Sequence, residues 1–275
     1  MHTDIHTDAR DTAALLRIAS DAAIRAGEAI MEVYTSPEAD WEVEKKADNS
    51  PLTLADRRSQ EIIAAALEAT GIPVLSEEGA QLPYEERKEW KALWIVDPLD
   101  GTKEFMKRND EFTVNVALVV DGTPVIGVIF VPAKRNLYVG SEAGAFKVKV
   151  GKAKYDIDAL NLKPIQAKEE SDGPLVVVAS RSHMNDETQA YIDCLRKEYP
   201  SVRKVSAGSS LKLCLVAEGK ANVYPRFAPT MEWDTAAGHA ICLAAGCGVY
   251  AIGQDAPTPL QYNKEDLHNP WFVVG

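Results

Sequence analysis

The chain of 275 residues predicts an α+β protein with two contrasting halves. Three observations carry that expectation. Apolar residues recur at helical spacing over Asp11–Tyr34 and again over Leu54–Ala69. β-rich runs broken by turn residues follow over Thr113–Gly140. From Leu175 onward, short strands alternate with helices.

In order along the chain, Ala14, Leu15, Ile18, Ala22, Ile24, Ala29, Ile30 and Val33 predict a helix over Asp11–Tyr34, with Asp11 or Thr12 as its cap. Residues 35–51 are polar, carry Pro37 and Pro51, and read as an exposed excursion. Leu54–Ala69 is a second helix, closed by Gly71 and Pro73. Pro73–Leu75 and Leu93–Val96 are short apolar strands that each end in acidic residues. Thr113–Val120, Pro124–Val131 and Asn136–Gly140 form an antiparallel meander, turned at Asp121-Gly122 and at Pro132–Arg135. The second half predicts strands at Leu175–Ala179, Val202–Val205, Ala221–Tyr224, Gly248–Ala251 and Trp271–Val274. Helices at Asp186–Glu198, Ser210–Glu218 and Thr235–Ala245 separate them. The boundary is expected within 150–173, giving an N-terminal half of residues 1–160 and a C-terminal half of residues 161–275.

Hydrophobic residues at 46% and charged residues at 26% suit a soluble chain with a sizeable core. Acidic residues number 41 against 30 basic ones, a formal charge of −11. That surplus argues against binding long nucleic acid, which needs cations to displace phosphate counterions. It permits one small phosphorylated ligand if a metal reverses the local sign. Cys194, Cys214, Cys242 and Cys247 form no C-x-x-C pair, so zinc and dithiol redox motifs are not expected, and Cys242 and Cys247 read as small buried hydrophobes. No basic stretch followed by an apolar run opens the chain, and no apolar run approaches membrane-spanning length. The expected setting is cytoplasmic, with a peripheral place on the inner membrane face left open.

The carboxylates are not scattered evenly. Asp56 follows a helix start, Glu77-Glu78-Gly79 follows a strand, Asp97-Pro98-Leu99-Asp100-Gly101-Thr102 follows another, and Glu232-Trp233-Asp234-Thr235 precedes a helix. Proline cannot donate to a sheet ladder, so the chain is expected to turn at Pro98 and free the Leu99 carbonyl. Asp97 and Asp100 would then face one point, giving hard oxygen ligands of the kind Mg²⁺ prefers. Gly101 lets a phosphate approach the backbone, and Thr102 adds a hydroxyl. The plainer alternative is an Asp-Pro turn followed by a capping Asp-Gly.

Glu77-Glu78-Gly79, the run from Trp94 to Phe105 and the run from Glu232 to Gly238 resemble the paired signatures of the inositol monophosphatase superfamily of metal-dependent, lithium-sensitive phosphatases. The resemblance covers nearly the whole chain. The segments from Ala179 to His183, from Gly208 to Lys212 and from Ala217 to Arg226, with Tyr262-Asn263-Lys264, resemble the CysQ type of 3′(2′),5′-bisphosphate nucleotidase.

The resemblance implies a layered αβαβα sandwich of the inositol monophosphatase or sugar phosphatase type. It implies removal of the 3′-phosphate of adenosine 3′,5′-bisphosphate (PAP) to give AMP, and action on its sulfated relative PAPS, within sulfur metabolism. Glu77, Asp97, Asp100 and Asp234 would hold two to three Mg²⁺ ions with the Leu99 carbonyl, and Glu77 is chosen over Glu78 by its place in the motif. Asp56 and Thr102 would orient the attacking water. Ser180 and His183 would meet nucleotide edges, Gly208 and Ser209 would cradle a phosphate or ribose, and Lys212 and Arg226 would neutralise phosphate charge. Gly101, Thr102 and the metal ligands would face the same substrate, which would bind to a monomer or a homodimer. The rivals are an inositol or sugar-bisphosphate phosphatase of the same fold, and a nucleotide sensor without catalysis.

Overall fold

Helix α1 (Ala9–Thr35) begins two residues ahead of the expected start, so Asp11 and Thr12 lie in its first turn instead of capping it. The computed structural model describes residues 9–45, 51–79, 82–151, 155–168, 173–180, 184–253 and 256–275. Ala19, Ala22, Ala23, Ala26 and Ile30 are wholly buried, one stripe of small and branched residues that lets α1 lie close on a sheet. The next stretch is exposed as expected, with Trp41 as the buried exception among its described residues. Strands β1 (Glu44–Lys45) and β2 (Pro51–Leu52) pair there, and Trp41 is buried with its indole N–H donating to the Val33 carbonyl at 2.9 Å. Trp41 stacks obliquely on Phe105 at 4.8 Å, so one aromatic anchors a segment otherwise built for solvent.

Helix α2 (Leu54–Glu68) leads to β3 (Val74–Ser76), the short α3 (Tyr84–Arg87), β4 (Ala92–Asp100) and α4 (Thr102–Met106). The meander is β5 (Thr113–Val120), β6 (Thr123–Val131) and β7 (Asn136–Ser141), and it continues beyond the expected end into β8 (Gly144–Lys149) and β9 (Lys163–Pro164). Strands β3 to β9 form one seven-stranded sheet in sequence order; β3 and β4 are parallel and every other neighbouring pair is antiparallel. Asp121 and Gly122 both have positive φ, the geometry of the tight turn expected between β5 and β6.

The second half runs β10 (Leu175–Ser180), α5 (Asp186–Glu198), β11 (Val202–Ala207), α6 (Leu211–Ala217), β12 (Tyr224–Arg226), α7 (Glu232–Ala244), β13 (Val249–Ala251), β14 (Thr258–Pro259) and β15 (Phe272–Val274). Strands β10 and β11 are parallel, and β12-β15-β13-β14 is antiparallel. The strand expected at Ala221–Tyr224 begins only at Tyr224; Val223 instead makes a single parallel bridge to Val177, which links the two small sheets.

Burial shows why these elements layer. One face of the large sheet, with Trp94, Val96, Val114, Val116 and Phe130, packs on α1 and α2. Its other face, with Leu93, Ile95, Ala117 and Ile129, packs on Leu213, Ala237 and Ile241 of α6 and α7. Beyond those helices lie the small sheets, and α5 covers them with Ile192 against Val177 and Val223. The order helix, sheet, helix, sheet, helix is the expected αβαβα sandwich. Gly127 of β6 marks how tightly α7 sits, since a Cβ there would come within 2.1 Å of the Ala237 carbonyl. Among the described residues, no helix is long and apolar enough to cross a membrane.

Candidate active site

Both parallel strand pairs point their carboxyl ends at one cleft, the usual place for a ligand in such sheets. Ser76 of β3 lies opposite Val96 of β4, so Glu77 and Asp97 emerge side by side. Ser180 of β10 lies opposite Ala207 of β11, so Ser180 and Gly208 emerge together from the other layer. The cleft holds about 360 Å³, and its wall includes Glu77, Leu99, Asp100, Thr102, Lys212 and Asp234.

The chain does not leave the sheet at Pro98. Strand β4 continues to Asp100, and its register against β5 shifts between Asp97, opposite Asn115, and Asp100, opposite Thr113. Three positions on β4 thus match two on β5, a bulge of one residue. That bulge has a direct consequence. In a regular strand, residues three apart face opposite sides, so Asp97 and Asp100 could not share a site. The extra residue returns Asp100 to the side of Asp97. Pro98, which has no N–H to lose, sits where the ladder is interrupted, and its carbonyl accepts from the buried Ser59 hydroxyl at 2.6 Å.

Oxygens of Asp97, Asp100 and Asp234 lie within 4.8 Å of one another. Glu77 lines the same cleft and adds its negative charge to all three. Asp97 is buried; its Oδ1 accepts the Leu99 N–H at 3.0 Å, while its Oδ2 has no hydrogen-bond partner. Burial, then the charges of Glu77, Asp100 and Asp234, hold its pKa well above the usual carboxylate range. Burial pushes Asp100 up to about 6, against the opposing pull of Lys212 and of the Ser210 N–H. Burial and then Asp100 push Asp234 up to about 8. A buried carboxylate oxygen with no donor, inside a cluster that resists ionisation, is the mark of a place for an external cation. An all-oxygen donor set fits a hard divalent ion.

Asp56 lies one step behind the cleft wall. It is the third residue of α2, where one oxygen accepts the Thr53 N–H at 2.7 Å and the Thr53 hydroxyl at 2.6 Å. Its other oxygen lies 3.3 Å from the Thr102 hydroxyl, which is also 3.4 Å from the Leu99 carbonyl. Gly101 joins β4 to α4 with φ of 90°, and a Cβ there would stand 2.1 Å from the Ser209 hydroxyl. A side chain at that position would close the seam between the two layers.

On the far wall, Lys212 is buried, donates to the Ser209 carbonyl at 2.6 Å and stands over the Tyr224 ring. Burial lowers its pKa to about 8, partly offset by Asp100. Arg226 donates to the Pro229 carbonyl at 3.0 Å and lines the cleft, as do Ser180, Gly208 and Ser209. Within 181–183, His183 lies outside the described residues. Glu77, and not Glu78, is part of the cleft wall.

The Inositol monophosphatase family profile matches residues 11–270. The chain belongs to the inositol monophosphatase family. It is 46% identical to the 3′(2′),5′-bisphosphate nucleotidase CysQ of Shigella flexneri over 90% of this chain and 94% of that protein. The crystal structure of CysQ from Bacteroides thetaiotaomicron superposes with a TM-score of 0.83 at 51% identity, covering 95% of this chain and 96% of that one. An inositol monophosphatase from Anabaena, at 24% identity and TM-score 0.69, shares the fold, covering 96% of this chain and 91% of that one.

Several further residues support the site; of these, Thr113, Asn115 and Glu111 carried no sequence signal, whereas Ser210 and Glu232 lay inside the resembling segments without a role of their own. Ser210, Thr113 and Asn115 gather behind Asp100. Glu111 accepts the Gly208 N–H at 2.9 Å, and its carbonyl accepts the Ser209 hydroxyl at 2.6 Å. Glu232 is wholly buried and accepts from the backbone of Asn263 at 2.7 Å and of Lys264 at 3.0 Å. The Tyr262-Asn263-Lys264 segment thus holds the start of α7, two residues from Asp234, and is absent from the cleft wall.

Proposed function

We propose that the chain is a divalent-metal-dependent 3′(2′),5′-bisphosphate nucleotidase that removes the 3′-phosphate of PAP, with PAPS as a second substrate. One observation carries the reading: an unsatisfied buried carboxylate oxygen of Asp97 and two cationic side chains, Lys212 and Arg226, line one cleft. The identity to CysQ proteins along nearly the whole chain supports the nucleotide substrate over inositol phosphate.

In this reading Asp97, Asp100 and Asp234 hold Mg²⁺ ions, two to three in number, with Glu77 and the Leu99 carbonyl completing the shell. Such ions, when bound, neutralise phosphoryl oxygens and acidify water, a large share of the barrier lowering in phosphate-monoester hydrolysis. Asp56 accepts the Thr102 hydroxyl proton, which leaves the Thr102 oxygen free to accept from a water and fix its line of attack. Because Asp56 is also held by Thr53, the pair is set before substrate arrives. Lys212 and Arg226 neutralise phosphate charge, Ser180 and His183 meet nucleotide edges, and Gly208 and Ser209 cradle the 5′-phosphate or ribose. Residues 1–160 then carry most metal ligands, and residues 161–275 carry the nucleotide side with Asp234.

The test is Mg²⁺-dependent phosphate release from PAP, PAPS and inositol 1-phosphate, measured side by side with and without chelator. Faster turnover of PAP that chelation abolishes is expected. Preference for inositol phosphate would transfer the chain to the rival phosphatase class, and chelator-resistant release would overturn the metal reading.

A further inference from the structure

Asp100 stands on β4, but what holds its carboxylate comes from elsewhere. The Ser210 N–H donates to Asp100 Oδ2 at 2.5 Å, across 110 positions of sequence. Ser210 is itself buried, and its hydroxyl touches Asn115 Oδ1 at 2.7 Å and Thr113 Oγ1 at 2.8 Å. Asn115 Oδ1 accepts the Ser210 hydroxyl proton, and the Thr113 hydroxyl lies between Ser210 Oγ, at 2.8 Å, and Asp100 Oδ2 itself, at 3.5 Å.

The backbone leading into Ser210 is held as firmly. Ser209 has φ of 51°, a left-handed conformation uncommon for a residue with a side chain, and such a conformation persists only where its surroundings impose it. Here its hydroxyl is shared between the carbonyls of Asp100, at 3.0 Å, and Glu111, at 2.6 Å, while the preceding Gly208 N–H is taken by the Glu111 carboxylate. That left-handed turn aims the next amide, Ser210 N–H, at Asp100.

We propose that Ser210, locked by Thr113 and Asn115, is a positioning residue that aims Asp100 at the cation site; the proposal rests on the metal reading above. One carboxylate oxygen accepts from Ser210 while the carboxylate takes its place in the cluster with Asp97 and Asp234. A ligand from the first half is thereby oriented by the loop of the second half that carries Ser209 and leads into Lys212 of α6. Partners that orient a metal ligand through hydrogen bonds typically govern metal affinity by about 10- to 100-fold.

The experiment measures Mg²⁺ binding to the substrate-free protein by calorimetry for Thr113→Val, Thr113→Ser, Ser210→Ala and Asp100→Asn, with the metal-free melting temperature of each. Thr113→Val keeps shape and loses the proton, so it is expected to weaken Mg²⁺ about tenfold while melting near wild type. Thr113→Ser should restore wild-type affinity, which a merely structural role would not predict. If Ser210→Ala fails to fold, the Thr113 pair carries the test alone. Wild-type Mg²⁺ affinity in Thr113→Val, with affinity lost in Asp100→Asn, would overturn the positioning role and leave the metal site standing. Unchanged binding in Asp100→Asn as well would overturn both.

Discussion

Two helices of this molecule begin with the same device and finish it differently. In α2 and in α7 the third residue is an aspartate, and in each its carboxylate accepts the N–H of the residue before the helix at 2.7 Å. Before α2 that residue is Thr53, whose hydroxyl also donates to Asp56. Before α7 it is Met231, which has no hydroxyl to give. Asp56 is therefore supplied with donors by its own helix start and by Thr102, whereas Asp234 turns toward Asp97 and Asp100 and is pushed up to about 8. One aspartate serves as a fixed hydrogen-bond acceptor and the other as a ligand, and the neighbour three positions earlier marks the difference.

The strongest way to break this contrast is to neutralise each aspartate. Asp234→Asn is expected to reduce phosphate release from PAP by roughly 10³-fold, as loss of a preorganised charge does. The same change should raise the melting temperature of the metal-free protein, because it removes the cost of burying a charge there and the repulsion from Asp100 and Glu77. Asp56→Asn should reduce turnover by roughly 10²-fold or more and lower the melting temperature, since it loses acceptors that three donors use. Equal stability effects at the two positions would erase the distinction.

The helices also differ in what they bury further along. α7 places His239 in the core, with Nδ1 3.0 Å from the Tyr262 hydroxyl and Nε2 without a partner, and burial lowers its pKa to about 4. The folded state then binds fewer protons than the unfolded state below 6.5. The contribution is intact above pH 6.5 and is lost as pH falls toward about 4, at most roughly 3 kcal/mol. Urea midpoints at pH 7 and pH 4.5 should fall more for wild type than for His239→Leu. An identical fall in both would sink this assignment.

Exchanging the cap residues sharpens the contrast at the smallest scale. Thr53→Val should cost about 1 to 2 kcal/mol of stability in denaturant titration, the usual range for a lost helix cap. Met231→Thr should give Asp234 a hydroxyl donor, add a few tenths to about 1 kcal/mol of stability and weaken Mg²⁺ binding severalfold. Tighter Mg²⁺ binding in Met231→Thr would show that the missing hydroxyl is not what leaves Asp234 available.

Legibility in the sequence followed the distance between cause and effect. The segment from Asp97 to Thr102 could be read because proline, glycine and the paired carboxylates act on each other within a few positions, although the strand runs on through a bulge where a turn was expected. The helix start at Leu54 and the turn at Asp121-Gly122 are equally local. Trp41 was hidden because its partners, Val33 excepted, come from across the core, and a polar neighbourhood masked it. Strand β8 was hidden because Lys147 and Lys149 interrupt the apolar signal while Val148 faces the core side.

The amino-acid sequence by itself determined the order of helices and strands, the separate acidic segments and the family they resemble, because periodicity and short-range turn chemistry are properties of neighbours. Only the tertiary structure decided that Asp97, Asp100 and Asp234 share one point, that Lys212 is buried opposite them, and that Ser210 holds Asp100. Those relations depend on a one-residue register shift in a sheet and on the docking of a loop across 110 positions. Hydrogen bonds and buried charges act over a few ångströms of space, whatever the separation along the chain.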